Sequence, residues 1–163
     1  MKILELSNSN KVALLDDEDY LEISKLGLTW CESTGSVSAK KKVYVKGMFI
    51  KRVTVHLHRV ILGLSSNDKI EVDHIDMDWL NNQRSNLRLA THSQNGCNKN
   101  SNNKHGYKGI YYCPKVGAWY AKIKLNRERI SLGRHATKEA AALAYNEGAR
   151  KFHGEFAKLN VIQ

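Results

Sequence analysis

The chain has 163 residues, with 26 Lys and Arg against 16 Asp and Glu, and a formal charge of +10. That length suits one ordinary domain or two or three very small ones. There is no run of ~18 apolar residues and no signal-peptide pattern, and Cys31, Cys97 and Cys113 lack Cys-x-x-Cys spacing; this argues against a membrane protein, a disulfide framework and a cysteine-rich zinc site, and leaves a cytoplasmic protein with free thiols as the expectation.

The charge is uneven. Residues 1–97 hold 13 Lys and Arg against 12 Asp and Glu, whereas residues 98–163 hold 13 against 4. A basic module attached to a near-neutral body is the pattern of a nucleic-acid grip, with a solvated basic surface as the plain alternative. In chain order, residues 1–65 read as mostly β. Val12-Ala13-Leu14-Leu15 precedes Asp16-Asp17-Glu18-Asp19, which reads as a solvated turn or helix start rather than a metal site. Val43-Tyr44-Val45 and Met48-Phe49-Ile50 flank Lys46-Gly47 and predict a hairpin or neighbouring strands. Lys40, Lys41, Lys42, Lys51 and Arg52 are either phosphate contacts or ordinary surface cations. Ser65-Ser66-Asn67-Asp68 makes a turn into the next strand.

The chain is organised around residues 71–98. Val72 and Ile75 bracket Asp73-His74; residues 77–85 are polar apart from Trp79 and Leu80 and predict a loop; Leu87 and Leu89 alternate with Arg88 and predict a half-buried strand. Thr91 followed by Gln94 is a capping-box pattern, so a helix starts there and Asn95 lies early in it. Residues 95–106 are almost wholly polar and read as a linker. Beyond it, residues 107–112 are strand-like. In the run 119–125, Trp119, Ala121, Ile123 and Leu125 fall on one face and Tyr120, Lys122 and Lys124 on the other. Asn126-Arg127-Glu128 turns the chain, residues 129–133 alternate again, and Thr137 predicts the N-cap of a helix reaching Phe152 with Gly154 past its end.

Two resemblances follow from these residues. Asp73-His74, Asn86 and Asn95, in a strand–loop–strand–helix context with Asn-Leu-Arg after a double-Asn loop, resemble the HNH motif of ββα-metal nucleases, many of them phage homing endonucleases. That resemblance implies His74 as general base, Asn86 holding its ring by a hydrogen bond, and Asp73 and Asn95 as metal ligands for Mg2+ or another divalent cation such as Mn2+. His58-Arg59 is similar to the Leu-His-Arg element before that strand. His58 is then either an active-site contact or a packed, hydrogen-bonded histidine on a helix leading into the core. Tyr107-Lys108-Gly109-Ile110, Trp119, Ala121, Ile123-Lys124, Leu132-Gly133, Thr137-x-Glu139-Ala140-Ala141, Ala144-Tyr145-Asn146, Ala149-Arg150-Lys151 and Leu159-Asn160 resemble the AP2 DNA-binding domain. This implies a three-stranded antiparallel sheet, packed on one helix, that enters the major groove. Lys108, Tyr111, Lys115, Lys122, Lys124, Arg127 and Arg129 are then the DNA-binding candidates. Tyr111, Cys113, Lys115, Lys122 and Ser131 depart from the plant pattern, so a different target sequence is expected.

The expected fold is α+β: a β-rich leader with an HNH core over residues 1–98, a polar linker at 99–105, and the AP2-like sheet and helix over 106–163. The expected function is a site-targeting endonuclease acting on double-stranded DNA, of phage or mobile-element type, in the host cytoplasm if phage-encoded. No dimerisation stripe is evident, which favours a monomer. The alternative is a non-enzymatic DNA-binding regulator with a vestigial nuclease motif.

Overall fold

The computed structural model describes every residue except Ser66, Asn102 and Gln163. Ser66 of the expected turn and Asn102 of the expected linker therefore lie outside the described residues. The fold mixes α and β; the described residues form four small sheets and four α-helices. By its internal contacts the chain divides into Met1–Ala90 and Thr91–Gln163.

In the first unit, β1 (Lys2–Glu5) and β2 (Val12–Leu15) form an antiparallel hairpin. Ala13 and Leu15 alternate into the core, as period-2 patterning requires. Helix α1 (Asp17–Lys25) follows, with Asp17, Glu18 and Asp19 in its first turn, where the helix dipole favours anions. These acids are not simply solvated. Asp19 is buried and takes both Nε and Nη2 of Arg84 at 2.9 and 2.8 Å. Strands β3 (Trp30–Ser33), β4 (Ser36–Val45) and β5 (Met48–His56) form an antiparallel sheet in that order. The β4–β5 turn places Lys46 and Gly47 at φ 49° and 79°, the left-handed pair that matches strand twist in a two-residue hairpin. Helix α2 (Leu57–Ile61) leads toward β6 (Glu71–His74), which pairs antiparallel with β7 (Leu87–Ala90). Leu15, Ile23, Trp30, Val37, Leu57, Ile61, Val72 and Leu87 share one core, and Trp79 and Leu80 of the intervening loop pack on it.

The second unit opens with α3 (His92–Cys97), whose capping box forms as the sequence predicts: the Thr91 hydroxyl accepts from Gln94 N–H, and the Gln94 side chain accepts from Thr91 N–H. Strands β8 (Ile110–Cys113), β9 (Ala118–Leu125) and β10 (Glu128–His135) form an antiparallel sheet with β9 central. Helix α4 (Lys138–His153), N-capped by Thr137, packs Ala141, Ala142, Tyr145 and Ala149 against Ile110, Ala121 and Ile123. The approach is close. A Cβ on Gly148 would lie 2.7 Å from Leu132, and one on Gly109, at φ 76°, would lie 1.9 Å from the Tyr145 ring. Asn146 and Asn160 exchange side-chain and backbone hydrogen bonds at 2.7 and 2.9 Å, and Asn160 also binds both backbone groups of Lys108, which ties the C-terminal segment to the start of the sheet.

Candidate functional site

The β6–β7 ladder sets Asp73 opposite Arg88 and His74 opposite Leu87. Residues directly opposite on one face are close enough to pair, and Arg88 reaches Asp73 Oδ2 through Nε at 2.8 Å and Nη2 at 2.6 Å. Asp73 is only 4% exposed, so this ion pair is what makes a carboxylate tolerable at that position. Successive strand residues point apart, so the His74 ring lies on the opposite side.

The His74 ring sits among polar and aromatic partners. Its Nε2 lies 3.4 Å from Asn82 Oδ1. Asn82 is fully buried, and its Nδ2 donates to the carbonyls of Trp79 and Leu80 at 3.0 and 3.1 Å, which fixes the orientation of the amide. An amide oxygen only accepts, so Nε2 is the donor, and in a neutral ring the lone pair then belongs to Nδ1. Burial lowers the His74 pKa; the Asn82 bond and the charges of Asp76, Asp73 and Asp78 oppose that shift without cancelling it. The ring is therefore neutral at neutral pH. The His74 and His58 rings meet edge to face at 5.3 Å between centroids, and His58 stacks on His56 at 5.7 Å. His58 is packed, but its buried Nδ1 has no hydrogen-bond partner among the described residues, and burial, followed by the neighbouring His74, His56 and Arg59, pushes its pKa down to about 3.

Asn86 does not hold the His74 ring. Both its amide hydrogens and its oxygen are engaged elsewhere: Nδ2 donates to Asp76 Oδ1 and to the Asn81 carbonyl, each at 2.8 Å, and Oδ1 accepts from Asp76 N–H at 3.1 Å. It pins the loop that carries Asn82, and Asn82 meets the ring. Asp76 is the hub of that loop. Burial acts to raise its pKa, but the Asp78 N–H, Asn81 and Asn86 bonds outweigh this and the net shift is downward. The N-terminal hairpin supports the same loop: Leu14 donates to the Leu80 carbonyl and accepts from Asn82 N–H at 2.9 and 2.8 Å, while Asp16 accepts from Gln83 Nε2 and Arg84 N–H. Asn95 is the fourth of the six residues of α3, its N–H on the Thr91 carbonyl at 3.0 Å.

Residues 55–97 match the family model described as HNH endonuclease. Over that segment the chain is similar to HNH endonucleases. Over 113 residues it is 41% identical to an uncharacterized HNH endonuclease of Acanthamoeba polyphaga mimivirus; the alignment takes in 66% of this chain and 58% of that relative, so the chain spans a little over half of the relative's length. No solved structure matches the chain.

Beyond the matched HNH segment, the outer face of the β8–β10 sheet carries most of the remaining candidates. The registers Tyr111↔Tyr120, Ser131↔Lys122 and Arg129↔Lys124 put these side chains together on the face away from α4. Tyr111 stacks on Tyr120 at 5.3 Å, with Lys122 Nζ 4.1 Å above the Tyr111 ring. Lys115 and Arg127 are exposed in the two turns at opposite ends of β9. Lys108 departs from the expectation. Its half-buried ammonium donates to the Cys97 and Lys99 carbonyls at 2.6 and 2.7 Å, satisfying groups that the end of α3 leaves unpaired. Burial lowers its pKa. One outer-face residue escapes a strict alternation: Arg134 pairs with Tyr120 because the register shifts between Ser131 and Arg134, around Gly133 at φ 101°. Among the described residues no helix is long and apolar enough to cross a membrane.

Proposed function

We propose that this chain is a site-targeting endonuclease that hydrolyses phosphodiester bonds of double-stranded DNA, with His74 as general base and with Asp73 and Asn95 as protein ligands to one divalent cation. The observation that carries the reading is a half-buried, neutral imidazole whose tautomer is set by Asn82, on the strand residue next to a buried carboxylate. The donor set fits a hard ion: Asp73 offers carboxylate oxygen and Asn95 carboxamide oxygen. Among the described residues no three His, Cys, Asp or Glu side chains are grouped to hold an ion, so water and substrate phosphate would complete its shell. Bound there, such an ion would stabilise the charge that develops on the phosphate and on the departing 3′ oxygen.

The chain's own residues perform the rest. His74 Nδ1 accepts the proton of the attacking water, and the nearby Asp76, Asp78 and Asp73 charges favour the imidazolium that results. Asn82 keeps Nε2 as donor throughout. Asn86 and Asp76 hold the loop that carries Asn82. Arg88 fixes the Asp73 carboxylate from the facing strand. Because Asp73 and His74 point to opposite sides of β6, they can address opposite sides of a phosphate, as in-line displacement requires.

The second unit is the DNA reader in this proposal. Its sheet-and-helix architecture and motif residues support an AP2-like module, whose outer face brings Tyr111, Lys122, Lys124, Arg127, Arg129 and Lys115 to a duplex. The relative's viral origin favours a mobile-element enzyme of the homing type. The test is supercoiled-plasmid cleavage by the purified protein in Mg2+ or Mn2+ against EDTA, with the fragment ends sequenced. Metal-dependent nicks or breaks at a defined site are expected. DNA binding without cleavage in either metal would overturn the enzyme reading in favour of a regulator.

A further inference from the structure

The distal half of the β4–β5 hairpin has no core beneath it. Strand β3 pairs only with its root, from Ser36 to Ala39. Beyond that, six paired positions from Lys40↔Thr54 to Val45↔Met48 project as a two-stranded ribbon. The ribbon exposes Tyr44, Val45, Met48, Phe49 and Ile50, each more than half accessible. Exposed apolar side chains clustered in this way mark a contact surface rather than scattered surface residues. It also carries Lys40, Lys41, Lys42, Lys46, Lys51 and Arg52, and the sequence has no Asp or Glu between Glu32 and Asp68. Among the described residues none of these six cations is paired with a carboxylate.

The register places Lys40, Lys42 and Arg52 on one face and Lys41 and Lys51 on the other. Lys42 stands opposite Arg52, Lys40 opposite Thr54, and Ser38 opposite His56. At the bulge after Val43 the face passes to Tyr44 and Phe49, whose rings meet edge to face at 6.0 Å. From tip to root, this face therefore runs through an aromatic pair, a cation pair, then lysine and threonine, then His56, and His56 leads through His58 to His74.

We infer that the ribbon Lys40–Thr54 is a second duplex-DNA contact, laid along the phosphate backbone so that the strand leaving its root reaches His74. Residues two apart on a strand rise about 6.6 Å, so Lys40 and Lys42, with Arg52 across from Lys42, form a short row of cations, and a two-stranded ribbon is narrow enough to enter a major groove. Charge complementarity selects a polyanion over a second copy of this chain, because a symmetric pairing of the ribbon would oppose like charges. The inference rests on the endonuclease reading for its substrate, and it goes beyond that reading by adding a grip contributed by the first unit.

The experiment is fluorescence anisotropy of a labelled duplex with the full chain in EDTA, across a NaCl series, for wild type and for Lys42→Gln/Arg52→Gln. Both replaced side chains are exposed, and far-UV circular dichroism checks the fold. Two lost phosphate contacts lower the slope of log K against log salt by about 1.8 and weaken low-salt binding about tenfold or more. Wild-type binding with an unchanged slope in the variant overturns the ribbon and leaves the endonuclease reading standing. An unchanged slope together with an altered sedimentation coefficient also overturns it and makes the ribbon a protein interface. Failure of the wild type to bind any duplex overturns both.

Discussion

Residues 1–90 and 91–163 handle charge in opposite ways. In the first unit, outside the β4–β5 ribbon, arginines are held by partners within the unit: Arg88 by Asp73, Arg84 by Asp19, and Arg59 by the carbonyls of Ser65, Asp68 and Ile70. In the second unit the cations of β9 and β10 face outward from a sheet whose other side is sealed by small residues of α4. Lys108 is the exception, closing α3 from within. Under the proposed function this difference separates two roles. Internal pairing holds a few polar groups at fixed positions, which a proton-transfer site needs. Outward display leaves cations free to meet phosphate, and its energy scales with salt rather than with packing.

The largest expected effect breaks the internally paired half. Arg88→Met leaves a buried carboxylate without its ion pair and costs about 3–5 kcal/mol in urea unfolding. A loss under ~1 kcal/mol would mean the pair contributes little. Next comes a contrast within the second unit. Lys108→Met costs about 1–2 kcal/mol through the carbonyls it uncovers and leaves the salt slope of DNA binding unchanged. Lys122→Ala with Lys124→Ala changes stability by less than about 0.5 kcal/mol and lowers that slope by about 1.8. If the two variants behaved alike, the division between structural and displayed cations would fail. The last effect is a pH dependence. The folded His58 ring titrates at about 3, below the ~6.5 of an unfolded chain. Only the unfolded chain takes up this proton between those values, so stability is full above pH ~6.5 and falls toward pH 3, by about 1.4 kcal/mol per pH unit from this group. His58→Phe flattens that loss in denaturation measured at pH 7 and pH 5; an identical slope would show that the ring is not held neutral.

Periodicity and caps made the second unit readable from sequence. The alternation at 119–125, Thr137 and the Thr91–Gln94 pair each have a local cause, and each forms. Arg134 was hidden because one bulge at Gly133 breaks the alternation that any pattern count assumes. In the first unit the motif marked Asp73, His74 and Asn86, but it did not reveal which amide meets the imidazole. That choice depends on Leu14 and Asp16, distant in sequence, fixing the loop so that Asn82 rather than Asn86 faces the ring. Lys108 was misplaced for a similar reason: its partners, the Cys97 and Lys99 carbonyls, are exposed only by where α3 ends.

The central claim is that the His74 imidazole takes the proton of the attacking water. The direct measurement is single-turnover cleavage of duplex DNA in Mg2+ by wild type and His74→Ala, with binding of the same duplex followed in EDTA. Loss of about 10²–10⁴-fold in rate with binding little changed is the predicted result. Cleavage by His74→Ala at the wild-type rate would contradict it.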